Sequence, residues 1–189
     1  SMSDLFHKDV PDEFIGKVWD TMARAHQHTF QVLTKRPERM AELVPQFAAR
    51  HTARNGTGWP LANIWCGTSV EDQAAANERI PWLLRVPAAV RFLSCEPLLG
   101  PIDLSHYLID DWTRIGDDVH YHTPHPALHW IIAGSESGHG ARSCDVDWVR
   151  SLRDQCVGAG VAFFWKQDAT NGRKIPTPEL DGRRWMEFP

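Results

Sequence analysis

Five apolar runs, each closing on a cluster of polar residues, alternate with amphipathic stretches along this chain. That order constrains the fold more than any single motif. Residues 29–33 end in Thr34-Lys35-Arg36, and residues 61–66 lead into Gly67-Thr68-Ser69. Residues 89–95 end in Glu96-Pro97, residues 129–133 in Gly134-Ser135-Glu136-Ser137-Gly138, and residues 161–165 in Lys166-Gln167. Short runs that are apolar at nearly every position suit strands buried on both faces. Between them lie period-3.6 patterns. The first, 11–26, places Phe14, Ile15, Val18, Trp19 and Met22 on one stripe, with Pro11, Asp12 and Glu13 suited to a first helical turn. A second starts at Pro37 with Met40, Leu43, Val44 and Phe47 inward, and Pro45 is expected to kink or shorten it. A third runs to Arg79 after Ser69 and Asp72, which resemble a capping box, and Pro81 and Pro87 frame its exit. The last, 146–159, turns Val149, Leu152 and Cys156 inward and closes on Gly158 and Gly160.

Strands alternating with helices predict a parallel sheet with crossover helices. The fold class expected is α/β, as a partial or incomplete β/α (TIM-like) barrel rather than an open doubly wound sheet. One domain is expected over 1–189, with 98–128 an irregular insertion and 168–189 a surface tail. At 42% hydrophobic and 23% charged residues the chain can bury a core, which excludes wholesale disorder. A net charge of −4 argues against a generic DNA-coating protein. No apolar run approaches the roughly 20 residues that span a bilayer, and the first residues lack a signal-peptide core. A soluble, cytoplasmic protein with no membrane partner is expected.

Cys66, Cys95, Cys144 and Cys156 stand singly, without the spacing of a zinc ribbon, a redox pair or a disulfide scaffold. Cys66 and Cys95 sit in apolar runs, where a free thiol acts as a small hydrophobe. Most of the nine tryptophans should pack in the core or at its rim. Trp59, Trp112 and Trp185 lie in loop-like segments and would favour an interface if exposed.

In parallel α/β sheets the carboxyl ends of the strands share one face, where ligands bind. Any single polar cluster is explained by loop polarity and helix caps; five together, with cations facing carboxylates, point to a site. Lys35, Arg36 and Lys166 could clamp a carboxylate or phosphate. Glu71, Glu96 and Glu136 could bind an amine, ribose hydroxyls or a metal, or act as acid and base. The bland alternative is that Glu96 and Glu136 pair with Lys35 or Lys166. Gly134 and Gly138 would let backbone approach a ligand. His120, His122, His125 and His129 lie in a Pro-rich stretch without helical ligand spacing and read as a solvated loop. Gly-Ser-Glu-Ser-Gly has Glu where a nucleophile elbow has Ser, and neither a Walker A nor a dinucleotide fingerprint occurs.

Several phrases carry a resemblance: residues 3–7 (SDLFH), 30–37 (FQVLTKRP), 64–72 (IWCGTSVED), 91–101 (RFLSCEPLLGP), 131–138 (IIAGSESG), 147–156 (DWVRSLRDQC) and 163–167 (FFWKQ), with the ending 180–189. Together they resemble a phage- and prophage-encoded family of unknown function, similar to the radical S-adenosylmethionine superfamily. The resemblance covers nearly the whole chain. It implies a partial or complete β/α barrel, in the host cell cytosol if phage-encoded, with an upstream Cys-x3-Cys-x2-Cys segment in longer relatives holding an iron–sulfur cluster. Thr34-Lys35 would follow the third barrel strand. Ser69 with Glu71 would follow the fourth and touch the methionine or ribose of the cofactor, and Ser94-Cys95-Glu96 and Ser135-Glu136-Ser137 would follow the fifth and sixth. The cofactor-binding set so implied is Thr34, Lys35, Ser69, Glu71, Glu96, Ser135, Glu136 and Lys166. No cysteine precedes Cys66, so no bound cofactor is expected for this chain alone. S-adenosylmethionine remains possible by resemblance, and a cluster only with upstream cysteines supplied. The chain also starts at what would be a strand end, as a truncated barrel would.

Three functions follow. The first is the cofactor- and substrate-binding part of a radical enzyme, inactive in radical chemistry as this chain. Any nucleic-acid or nucleotide contact would be local, through Arg36, Arg39, Arg50 and Arg54, although an ordinary solvated helix face is the favoured reading of those arginines. The second is a non-catalytic module that binds a host or phage protein, or a second copy, through an open sheet edge. The third, with least spacing support, is a metal-dependent hydrolase using Glu96, Glu136 and histidines.

Overall fold

A computed structural model of the chain describes residues 4–56, 58–108, 127–170 and 173–189. The elements run α1 (Asp12–Arg24), β1 (Phe30–Thr34), α2 (Pro37–Asn55), β2 (Ile64–Ser69), α3 (Gln73–Leu84), β3 (Val90–Cys95) and α4 (Ser105–Leu108). Then come β4 (Trp130–Gly134), α5 (Val146–Ala159), β5 (Ala162–Thr170), β6 (Arg173–Pro176), β7 (Glu179–Leu180) and β8 (Arg183–Arg184). Strands β1 to β5 pair in chain order and in parallel, β6 adds antiparallel to β5, and the six-stranded sheet curls into a half-barrel. The expected α/β class with helices between parallel strands is what the chain adopts. Of the expected insertion, 109–126 lies outside the described residues, and with it His120, His122, His125 and Trp112.

The two faces of the sheet differ. One is covered by α1, α2, α3 and α5 and holds most of the core, including Ile15, Trp19, Met40, Leu93, Leu152 and Phe163. The other carries a smaller aromatic cluster in which Phe92, Trp130 and Ile132 pack with Leu33, Trp65 and Phe164. There Trp130 lies parallel to Phe164 with ring centroids 6.1 Å apart, and Phe188 packs on both.

Local chemistry moved several boundaries. β2 begins at Ile64 rather than 61, because residues 61–63 form a turn pinned by Asn63, whose amide donates to the Met22 carbonyl (2.9 Å). Ser69 is the last residue of β2, and Asp72 is itself the cap of α3, accepting from the Ala75 N–H (2.9 Å). α3 runs through Pro81 to Leu84, since Ile80 and Leu83 are buried on either side and packing outweighs one lost backbone bond. α2 likewise continues through Pro45 with Met40, Leu43, Val44 and Phe47 inward. Phe14, placed on the inner stripe by periodicity, is exposed, and buried Gly16 stands inward instead.

The expected surface tail does more than lie on the surface. Residues 168–170 extend β5 into a hairpin with β6, and residues 185–187 return alongside β5, exchanging backbone bonds at Trp165, Trp185, Phe163 and Glu187. Leu180 and Trp185 are buried. Trp185 is therefore not an exposed interface residue; Arg183 stacks on its ring at 4.0 Å. Trp59 is half-buried too, with its indole N–H on the Pro87 carbonyl (2.7 Å). Residues 185–187 thus cover β5 over 163–165, while β1 and β6 each have a single described neighbour, β2 and β5.

Candidate functional site

The carboxyl ends of β1 to β5 line one cleft of about 750 Å³. Seven of the eight residues singled out from the sequence line it: Thr34, Lys35, Ser69, Glu96, Ser135, Glu136 and Lys166. The eighth, Glu71, stands behind the wall. Its side chain is nearly buried, one oxygen pairs with Lys35 and the other takes Arg79 at 2.8 Å. Arg79 reaches back from α3 and also donates to the Ser69 carbonyl (2.7 Å), so Glu71 ties α3 to the ends of β1 and β2. Burial pushes the Glu71 carboxyl up, but the bonds and charges of Lys35 and Arg79 outweigh it and hold it below its ordinary value.

Glu71→Gln should therefore cost about 2 kcal/mol, because it leaves Arg79 facing a neutral group in a half-dry site. A group whose folded pKa is depressed stabilises above its unfolded pKa. The difference between wild type and variant should be complete near neutrality and vanish as pH falls through the folded value. Urea melts at several pH values test this; a constant difference would contradict it.

Around the cleft the charges come in opposite pairs. At the β1 end, Asp4 accepts from the Thr34 hydroxyl (2.7 Å) and from Arg36 (2.7 Å). Burial pushes Asp4 up, but the Thr34, Phe6, Arg36 and Lys35 bonds prevail and hold it low. Nothing local in the sequence marked Asp4; only the fold brings it 30 residues along the chain to Thr34. At the β3–β5 end, Lys166 donates to Glu96 (2.7 Å), which also takes the Ser94 hydroxyl at 3.4 Å. This is the pairing foreseen as the bland alternative for Glu96. Glu136 instead pairs at the rim with Arg142, through Nε (2.8 Å) and Nη2 (3.0 Å), and those bonds hold its carboxyl down to about 2.

A bulge in β5 shapes this end. Ala133 faces Trp165 and Gly134 faces Gln167, so Lys166 is the extra residue and both Lys166 and Gln167 line the cleft. The Gln167 side chain donates to the Ser135 carbonyl (2.7 Å), and the Ser135 hydroxyl to Asp168 (2.7 Å). Gly134, expected to admit a ligand, admits a side chain instead: a Cβ there would stand 2.4 Å from Glu96 Oε1.

The four arginines considered for nucleic acid all have partners within the chain. Arg36 and Arg39 hold Asp4 and Asp12, Arg50 lies over the Phe47 ring, and Arg54 pairs with Asp20.

A family model matches residues 1–189, and its description is a protein of unknown function, DUF5131. The chain belongs to the DUF5131 family. No curated protein matches it, and no solved structure does. In this DUF5131 chain the thiols do not suit an iron–sulfur cluster. Cys66, Cys95 and Cys156 are buried in the helix-covered core, where burial pushes Cys66 and Cys156 up to about 12 and Cys95 higher still. None of the four lines the cleft, and the described residues bring no three of His, Cys, Asp and Glu together as a metal-ligand set. No described helix is long and apolar enough to cross a membrane.

Proposed function

We propose that this chain is a small-molecule-binding part of a protein resembling the radical S-adenosylmethionine superfamily. The half-barrel is read as a portion of a TIM-like barrel, and the chain as inactive in radical chemistry by itself. The observation that carries the reading is the convergence of opposite charges on one strand-end cleft with an apolar floor of Leu33, Phe92 and Ile132. A zwitterion bearing a ring suits such a lining, because each of its charges meets a counter-charge already fixed in place. Lys35 and Arg36 would take the carboxylate of the S-adenosylmethionine amino-acid end, Asp4 its ammonium group, and Ser69 a ribose hydroxyl. The Glu96–Lys166 wall opposite is left for a second molecule. Bound S-adenosylmethionine supplies a sulfonium centre; the residues here bind and orient it.

Calorimetry with S-adenosylmethionine tests this. One site per chain is expected, weakened about tenfold in Arg36→Gln, the size of one lost charged hydrogen bond. Absence of heat with the wild-type chain would contradict the reading.

An interaction module is the second reading, favoured by the β1 edge with its one described neighbour. Mass by light scattering that rises with concentration would support it over a ligand-binding monomer.

A further inference from the structure

The wall left open above carries a specific recognition chemistry. Glu96 follows the end of β3, and Gly134 sits one step beyond the Cys95–Ala133 pair on β4. Without a Cβ on Gly134, the Glu96 carboxylate lies flat against that strand, its Oε1 2.4 Å from where the Cβ would be. Oε2 has the Lys166 ammonium and the Ser94 hydroxyl. Oε1 is buried and has no donor among the described residues. A buried acceptor without a donor is unfavourable, so a protein that builds one invites a donor from outside.

Exposure falls in order toward the floor. Side-chain exposure is 54% for Lys35, 46% for Lys166 and 40% for Arg36, against 15% for Glu96. Phe92 and Ile132 beneath are 2% and 7% exposed. At this wall the acceptor therefore lies deep and the cation outside. A ligand that matches both places its N–H donors innermost, its flat ring along Phe92 and Ile132, and an anionic group outermost.

We propose that this wall binds a ring with two adjacent donors, the N–H and exocyclic NH₂ of a cyclic guanidine as in guanine and pterins, carried on an anionic group. Both Glu96 oxygens accept from that edge, as a carboxylate does in a bidentate pair. Lys166, half-exposed on its bulge, leaves Oε2 and meets the ligand's anion. One ion pair is exchanged for another, and no buried charge is left alone. Adenine is refused, since beside its amino group it presents a ring nitrogen that accepts, opposite an oxygen that also accepts. The proposal rests on the cleft being a small-molecule site and names the substrate class for it.

Calorimetry on the 189-residue chain with guanosine, inosine and adenosine monophosphates and 6-carboxypterin tests it, with S-adenosylmethionine as a separate titration. Guanosine monophosphate or 6-carboxypterin should bind about tenfold or more tighter than adenosine monophosphate, the discrimination expected of a bidentate edge. Inosine monophosphate, which lacks the exocyclic amine, should fall between. The tighter of the first two names the source of the edge. Glu96→Gln should erase the preference, and the wild-type comparison stands alone if that variant does not fold. Equal binding of the guanosine and adenosine compounds would overturn the proposal. So would heat from S-adenosylmethionine with none from any guanidine-edged ligand, which would leave the broader cleft reading standing. No heat from any of them would overturn both.

Discussion

Gly67→Ala should destabilise the fold by about 3 kcal/mol, at the upper end of what overpacking a full core costs. Gly67 pairs with Phe92 across β2 and β3, and a Cβ there would stand 2.5 Å from two atoms of the Phe92 ring and 2.7 Å from a third. Trp130 packs beside that ring from β4 with centroids 5.9 Å apart, so the ring can yield only toward the cleft it floors. For a chain of this length the melting temperature should fall by roughly 6–12 °C. Shortening the opposed side chain, as in Gly67→Ala with Phe92→Leu, should recover part of the loss. Scanning calorimetry of the three proteins decides it; an unchanged melting temperature in the single variant would show that the ring yields freely.

Gly134→Ala should act on the cleft more than on the fold. The new methyl occupies the place of Glu96 Oε1 and drives the carboxylate away from β4, off the Lys166 ammonium. About 1–2 kcal/mol of stability should be lost, the ordinary range for a strained insertion that a neighbouring side chain relieves by moving. Guanidine-edged ligands should lose at least about tenfold in affinity, since the two oxygens no longer lie together against the strand. Binding of S-adenosylmethionine through Lys35 and Arg36 should change little, because those residues belong to the β1 end. Equal losses for both ligands would mean that the two ends of the cleft are not separate sites.

These two glycines show what a sequence reading of this chain captures and what it misses. The strand order, the helix over 146–159 and the gathering of strand ends follow from periodicity and from the geometry of parallel sheets. Such patterns are local, or repeat from unit to unit. Seven of eight candidate residues met in one cleft for the same reason. Gly67 and Gly134 matter through the residue opposite them on the next strand. Which residue that is depends on register, fixed only when the sheet forms. Glu71 looked like a ligand-facing carboxylate because it stands with Ser69 in the polar cluster after the second apolar run; Arg79, a turn and more into α3, draws it to the other side. Asp4 and the returning 185–187 segment were illegible for a plainer reason, since their partners lie 30 and about 20 residues away along the chain. Pro81 misled because a helix stop is only a local preference, and burial of Ile80 and Leu83 overrides it.

Amide hydrogen exchange with and without saturating S-adenosylmethionine tests most directly whether the strand ends bind a ligand. Added protection should appear at the ends of β1 and β2, around residues 4–6, 34–36 and 69, with the helix-covered face unchanged. Protection confined to the exposed edge of β1 or to the helices, or none at all, would contradict a ligand cleft at the carboxyl ends of the sheet.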